Sequence, residues 1–436
     1  MRTLKQALAC LLLLLFQVQY LYSQIRPCSE AEVRALLLER PELSGNFHHH
    51  YDIPEISDTK APRGFRPFYV SHYGRHGERY EINPKLYGKL AAPLSALDSA
   101  GLLSKRGKEM LDDIILLGKE HEGMWGILTA KGAATHRGIA SRMYSRYPRV
   151  FSQKGRDSVI CYSTTVHRCL LSMGNFCLSL KEKEPSLKIS VNASDASDAY
   201  LNPQLNFRPG AQEYSEWRDS VLSCGAIDTF LGIVAADPSA AASYFGKRPA
   251  DYLYNLMHAV DITQCLDGSQ PDFFRYFTPE LIWTFWYVNN AKYIIYYGHS
   301  SEFGDARVHG KADRLLGDFI ERADRAVEGS GVCADLRFGH DTATMPLVTL
   351  LDLNGLGSGI SAFKSPWLFP AFRAIPMAAN VQMIFYRNSK GDVLVKVLLN
   401  EQETSIPGLS GFAVQGVYYP WERFREYCID RIHTHN

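Results

Sequence analysis

Residues 68–80 read FYVSHYGRHGERY. The stretch opens on a short apolar run, Phe68, Tyr69 and Val70, and passes into glycines set around Arg75, His76 and Arg79. Short β-favouring runs bounded by glycine read as strands, so PFYV (67–70) predicts a strand with a loop at its carboxyl end. In open α/β sheets ligands bind at that end. Cations beside His76 disfavour the imidazolium and keep the ring neutral and nucleophilic. The same guanidinium groups, forked and always charged, match the oxygens of a phosphoryl group. Gly74 and Gly77 let the backbone approach an anion closely. A surface loop whose arginines pair with Glu78 and Glu81 would read the same way locally, so the choice passes to the rest of the chain.

Two distant segments bear on it. In YSTTVHRCLLS (162–172), Arg168 follows a predicted strand, SVICYSTT (158–165), and can enter the same carboxyl-end crevice; a salt bridge on a helix surface would explain it equally well. In DLRFGHDTATMPLVTLL (335–351) a strand ends at Gly339 and is followed by His340 and Asp341. Pro346 suits the first turn of a helix whose apolar face is Met345, Leu347, Val348 and Leu351. His340 and Asp341 then stand beside a helix N-terminus, where anions are favoured. A helix cap with a core-facing histidine is the alternative for this pair. Asp341 has a chemical use besides: an alkoxide leaves a phosphomonoester readily only if its oxygen is protonated as the bond breaks. Neighbouring phosphate would raise the Asp341 pKa, whereas the arginines and the helix N-terminus would lower it.

The wider pattern is α/β. Strand-like runs at 67–70, 158–165, 335–339, 381–387 (VQMIFYR) and 393–399 (VLVKVLL) alternate with helical patterns. One helix is expected from a Thr129 cap through Ile139, Met143 and Tyr147 to a stop at Pro148. This predicts a mostly parallel central sheet flanked by helices, with an antiparallel hairpin around NSKGD at one edge. Residues 185–310 lack clear strands and read as a mainly helical insertion, or cap, between core segments 24–184 and 311–436. Within it, Thr278 caps a helix, Pro279 sits in the first turn and Gly298 ends it. Its aromatics, Trp283, Phe285, Trp286, Tyr287 and Tyr293, suit buried packing better than a ligand cleft. NGLGSG (354–359) follows a helix instead of opening one, which argues against a nucleotide loop.

The balance of 47 Lys and Arg against 46 Asp and Glu gives the chain no long-range pull toward nucleic acid or an anionic membrane. Arg2 and Lys5 before an apolar stretch ending near Val18 read as an export signal over residues 1–23, and no later segment reaches a membrane span, so a periplasmic or secreted protein is expected. Eight cysteines follow Cys10, enough for disulfides in an oxidising compartment, although small buried thiols fit as well. No Cys/His ladder suggests zinc. The histidine run FHHHY (47–51) is a poor metal site, because adjacent side chains diverge on a strand or a helix.

Taken together, RHGER at 75–79 and the distant His340-Asp341 pair resemble the signature of the histidine acid phosphatases, the larger branch of the histidine phosphatase superfamily. GRHGERY, HRC (167–169), RFGH (337–340) and VLLNE (397–401) are similar to multiple inositol polyphosphate phosphatases and phytases. Two departures stand out: Glu81 replaces the proline that closes the first motif, and His340-Asp341-Thr342 replaces His-Ala-Glu. The resemblance implies a phosphohistidine on His76, Asp341 as the acid for the leaving alcohol, and Arg75, Arg79, Arg168 and His340 on the phosphoryl oxygens. It implies neither metal nor cofactor, and a small phosphate monoester as the partner. Inositol polyphosphates would call for more cations from the insertion, with KEKEPSLK (181–188) and Arg208 as candidates; sugar phosphates and general monoesters fit the motifs as well. A phosphotransferase or mutase, or a binding protein without turnover, are the competing functions.

Overall fold

The computed structural model describes residues 25–45, 58–203, 208–268, 270–304, 308 and 310–433. The expected export signal and the FHHHY run lie outside the described residues. Among the described residues eight strands form one sheet: β1 (Arg66–Arg75), β2 (Ser158–Ser163), β3 (Lys188–Ala193), β4 (Val332–Gly339), β5 (Asn380–Arg387), β6 (Val393–Leu399), β7 (Gln402–Glu403) and β8 (Tyr418–Pro420). Their order is β3-β2-β4-β1-β5-β6-β7, with β8 also paired to β6. The half from β3 to β1 is parallel, and β5 to β8 are antiparallel, so β5 and β6 form the expected hairpin, but one strand in from the edge, since β7 and β8 pair with the far side of β6. No helix among the described residues is long and apolar enough to cross a membrane.

The helices that matter for the site are α1 (Ala130–Arg146), α2 (His167–Lys183), α3 (Pro249–Asp261), α4 (Pro279–Tyr297), α5 (Asp313–Glu328) and α6 (Asp341–Leu350). Because successive strand side chains point to opposite faces, Val70, Leu336 and Phe338 pack with Ile139 and Met143 of α1 and Phe176 of α2. Tyr69 and Tyr73 pack on the other face with Phe319 of α5 and Val348 of α6. With both faces covered, β1 has no polar/apolar alternation to read, and it runs on through Arg75 instead of ending at Val70. His72 lies in that extension, buried between the rings of Phe176 and Phe338 at 5.3 and 5.4 Å.

Several local signals take the shape their chemistry demands. Thr129 and Thr278 cap α1 and α4 by accepting from the Gly132 and Leu281 amides. Helix α6 begins earlier than its proline suggests, at Asp341, leaving Pro346 inside it. Carbonyls around the proline are taken up by hydroxyls: Thr344 donates to the His340 carbonyl and Thr349 to that of Pro346, each at 3.1 Å. Strand β3 falls within the stretch read as the start of the insertion; it is an edge strand with little buried apolar surface, which leaves KISVNA without a strand-like run. The cap has its own apolar core, where Trp286 and Phe285 of α4 are buried as expected. Helices Leu86–Ser99 and Lys105–Glu120 belong to that core too, although they come from the first core segment. Each of the eight described cysteines is a free thiol, and all but Cys224 are buried.

Candidate active site

The pairing of β1 with β4 sets Arg75 opposite Gly339, so the next residues, His76 and His340, leave adjacent strands side by side. The His76 amide donates to the Gly339 carbonyl at 2.9 Å, and the two imidazoles lie edge to face with centroids 5.4 Å apart. Strand β2 ends on the far side of β4, where the Thr164 amide donates to the Phe338 carbonyl. The following turn enters α2, which carries Arg168 in its first turn. Three parallel strands thus deliver residues from three distant segments to one carboxyl-end crevice, where such sheets hold ligands.

Within it, His76 Nδ1 lies 2.8 Å from the Gly77 carbonyl. A carbonyl only accepts, so Nδ1 carries the proton and Nε2 keeps its lone pair. Burial holds the His76 pKa well below the ordinary value, with Arg168, His340, Arg75 and Arg79 pushing the same way. The ring is therefore neutral. The His340 pKa is held down to about 3 by burial and Arg168, with Asp341 opposing. Arg75 is anchored by Nη1 to the Ile375 carbonyl at 2.6 Å and meets Asp341 Oδ2 through Nη2 at 3.2 Å. Burial pushes the Asp341 carboxyl up, yet Arg75, His340 and Arg79, with the Thr342 amide on Oδ1 at 3.1 Å, pull harder and hold it below the usual value. All six sequence-derived residues thus come together: His76, Asp341, Arg75, Arg79, Arg168 and His340.

The loop after His76 is pressed against α1. A Cβ on Gly77 would fall 2.6 Å from the Gly132 carbonyl oxygen, and one on Gly132 would fall 2.4 Å from that of Glu78. Thr129 adds a clip, donating from its amide to the Glu78 carbonyl at 2.9 Å. Glu81, in place of the motif's proline, is buried; it accepts from the Asn83 amide at 2.9 Å and faces His258 of α3 at 3.6 Å. Burial raises the Glu81 pKa, but His258, Arg79 and the Asn83 amide outweigh it and hold the value at about 2. The chain leaves the loop along a charged contact with the cap where the motif has a rigid ring.

No family model and no curated protein sequence matches the chain. Solved structures do. The multiple inositol polyphosphate phosphatase of Bifidobacterium longum, in complex with inositol hexasulfate, superposes with a TM-score of 0.72 at 18% identity, over 89% of this chain and 97% of that one. The phytase from D. castellii gives 0.66 at 15% identity, over 90% and 85%. The phytase of Hafnia alvei gives 0.51 at 11%, over 86% and 99%.

The chain has the fold of these phosphatases. Within this fold the structure adds residues that the sequence did not single out. Tyr73, fully buried on β1, accepts from the His340 amide at 2.8 Å and lies 2.9 Å from the His340 carbonyl. Ser172 of α2 accepts from the Gly77 amide at 3.1 Å. His136 of α1 is buried against Phe338, and burial lowers its pKa to about 4. No local pattern marks any of the three, since each matters through a contact made across the sheet.

Two cations of the cap, and Lys311 at the start of the second core segment, gather on the cap's tyrosines. Arg208 lies over the Tyr296 ring at 5.6 Å, Lys311 Nζ lies over Tyr297 at 4.3 Å, and Lys292 Nζ is 3.4 Å from the Tyr254 hydroxyl. Burial, then the charge of Asp341, raises the Tyr293 and Tyr297 pKa values, which ties these two rings to the carboxyl end of the sheet. Burial and Arg208 lower the Lys311 pKa to about 8. The other candidate segment, KEKEPSLK, lies at the opposite end of the sheet: Lys188 begins β3 and pairs with Asp157 just before β2, at 3.0 Å. Its charges cannot reach a ligand at His76, because parallel strands put their starts and ends a full strand length apart.

Proposed function

We propose that the protein is a phosphomonoesterase that works through a phosphohistidine on His76. The observation that carries this reading is the Arg75–Gly339 register, which sets a neutral imidazole with an unprotonated Nε2 among three arginines and beside the Asp341 carboxylate. His76 Nε2 attacks phosphorus as the ester P–O bond breaks, and the leaving oxygen takes the proton of Asp341. Water then attacks the phosphohistidine, gives its proton to the Asp341 carboxylate, and inorganic phosphate departs with His76 restored. Arg75, Arg79, Arg168 and His340 stabilise the charge on the transferring oxygens. Asp341 is ionised in the free protein, so the reaction needs a protonated Asp341 in the complex. An incoming phosphate dianion offsets Arg75 and Arg79 and raises the carboxyl pKa, which supports an acidic working range.

Inositol polyphosphates are the substrate class we favour. Arg208 and Lys292 of the cap, with Lys311 at the start of the second core segment, supply a second set of cations beside the catalytic end. The Bifidobacterium protein of similar fold was solved with inositol hexasulfate. The apolar stretch before residue 24 supports export. The test is phosphate release from an aryl phosphate and from phytate, with chelator present, between about pH 4 and 7.5, for the protein and for His76→Ala. Release that survives chelator and is lost in the variant is expected, with phytate preferred. Release unchanged in His76→Ala would remove the covalent mechanism, and transfer to added glycerol exceeding hydrolysis would make the protein a phosphotransferase.

A further inference from the structure

A neutral imidazole carries a single N–H, so His340 can donate to a phosphoryl oxygen only if the nitrogen facing the cleft holds that proton. Its Nε2 is turned into the protein, 3.4 Å from Thr164 Oγ1 and 3.5 Å from Cys169 Sγ, and neither of these residues has any exposed surface. Nδ1 is left for the cleft. Cys169 Sγ is also 3.3 Å from the Gly339 carbonyl, and burial pushes the thiol pKa up to about 12, so it keeps its proton and gives it to that carbonyl. The sulfur that remains is a weak acceptor and does little to hold a proton on Nε2.

The two tautomers then differ in what they satisfy. With the proton on Nδ1, the Thr164 hydroxyl donates to Nε2, the thiol donates to Gly339, and Nδ1–H is free to donate into the cleft. With the proton on Nε2, the Thr164 oxygen accepts it, and the buried hydroxyl hydrogen meets only thiol sulfur. The Nδ1 lone pair would then face an anionic oxygen. Unmade buried hydrogen bonds and facing lone pairs both count against the second arrangement.

We propose that Thr164 and Cys169 are positioning residues that hold His340 in its Nδ1–H tautomer and so turn it into a hydrogen-bond donor for a phosphoryl oxygen. The catalytic consequence rests on the phosphomonoesterase reading; the tautomer itself does not. The experiment uses the full chain with ring-15N-labelled histidine, and long-range proton–nitrogen spectra with and without inorganic phosphate. The His340 signals are assigned by their loss in His340→Asn. A protonated Nδ1 and an unprotonated Nε2 are expected. Thr164→Val, nearly the same shape without the hydroxyl, should shift His340 toward Nε2–H and lower kcat for an aryl phosphate by about tenfold to a hundredfold. Thr164→Ser should restore both, and Cys169→Ser, which keeps a donor for Gly339, should disturb them less than Cys169→Ala.

A wild-type Nε2–H signal would overturn the proposal, and so would an unchanged tautomer and kcat in a folded Thr164→Val. If the protein releases no phosphate from any ester, the functional reading fails alone, because the spectra still decide the tautomer.

Discussion

Asp341 carries the sharpest chemical expectation. Its side chain is 18% exposed, enough to meet a leaving group, and it sits at the first position of α6 with Arg75 on one oxygen. If it delivers a proton to the departing oxygen, its loss matters in proportion to how badly that oxygen needs one. Asp341→Asn should lower kcat/KM, which reports the step that forms the phosphohistidine, for phytate by about 10²–10⁴. An aryl phosphate, whose phenolate leaves without help, should lose far less. Equal losses on the two esters would assign Asp341 to binding. The falling limb of kcat as pH rises toward neutrality should also disappear in this variant. His76 differs in kind: burial and the surrounding cations hold its pKa well below the ordinary value, so its titration should leave no inflection near 6.5.

At the scale of elements, the loop that carries His76 and Arg79 is held by the start of α1. Glycine is the least favourable interior helix residue after proline, so Gly132→Ala would strengthen an isolated α1 by roughly 1 kcal/mol. In the folded protein the added methyl meets backbone atoms of Glu78 at 2.4 and 2.6 Å, and backbone has no rotamer by which to yield. The clash wins. Gly132→Ala should destabilise the protein by about 1–3 kcal/mol in urea unfolding and should lower kcat/KM by displacing His76 and Arg79 together. Thr129→Ala should cost about 1 kcal/mol for the lost cap. A Gly132→Ala protein of higher stability and full activity would mean that the loop moves freely of α1.

The whole molecule should be least stable where its chemistry is favoured. His72, His76, His136 and His340 are buried and have lowered pKa values, His136 to about 4 and His340 to about 3. In the unfolded chain each would titrate near 6.5. The unfolded state therefore binds more protons below that value, so stability is full above about pH 6.5 and falls as pH drops toward 4. For His136, converting the span from 6.5 to about 4 at ~1.4 kcal/mol per pH unit gives roughly 3.5 kcal/mol. Glu81, held at about 2, adds a further loss as pH falls from its unfolded value toward that point. Urea midpoints should fall steadily over this range, and His136→Gln should flatten the slope. Inorganic phosphate, binding only the folded state, should recover part of the loss. A flat profile in the unmodified protein would contradict the burial of these rings.

Local chemistry fixed a good share of this in advance. The ends of β4 and β6, the caps at Thr129 and Thr278, and the residue types in RHGER and His340-Asp341 follow from turn chemistry, side-chain shape and charge, which act over a few positions. What tertiary structure decided is which strands are neighbours and in what register. Arg75 stands opposite Gly339 because both faces of β1 and β4 are buried, and a slip of one residue would turn their apolar side chains to the wrong layers. That pairing spans most of the chain, and no window of sequence contains it. The Asp341 pKa was open for the same reason, since burial and cations act in opposite directions and only their distances rank them. Thr164 and Cys169 became relevant by lying against a ring that reaches them from another strand. The sequence by itself determined which candidate groups are present; the fold decided their company, because the energies that set an imidazole's proton or a carboxyl's charge are those of contacts made across the sheet.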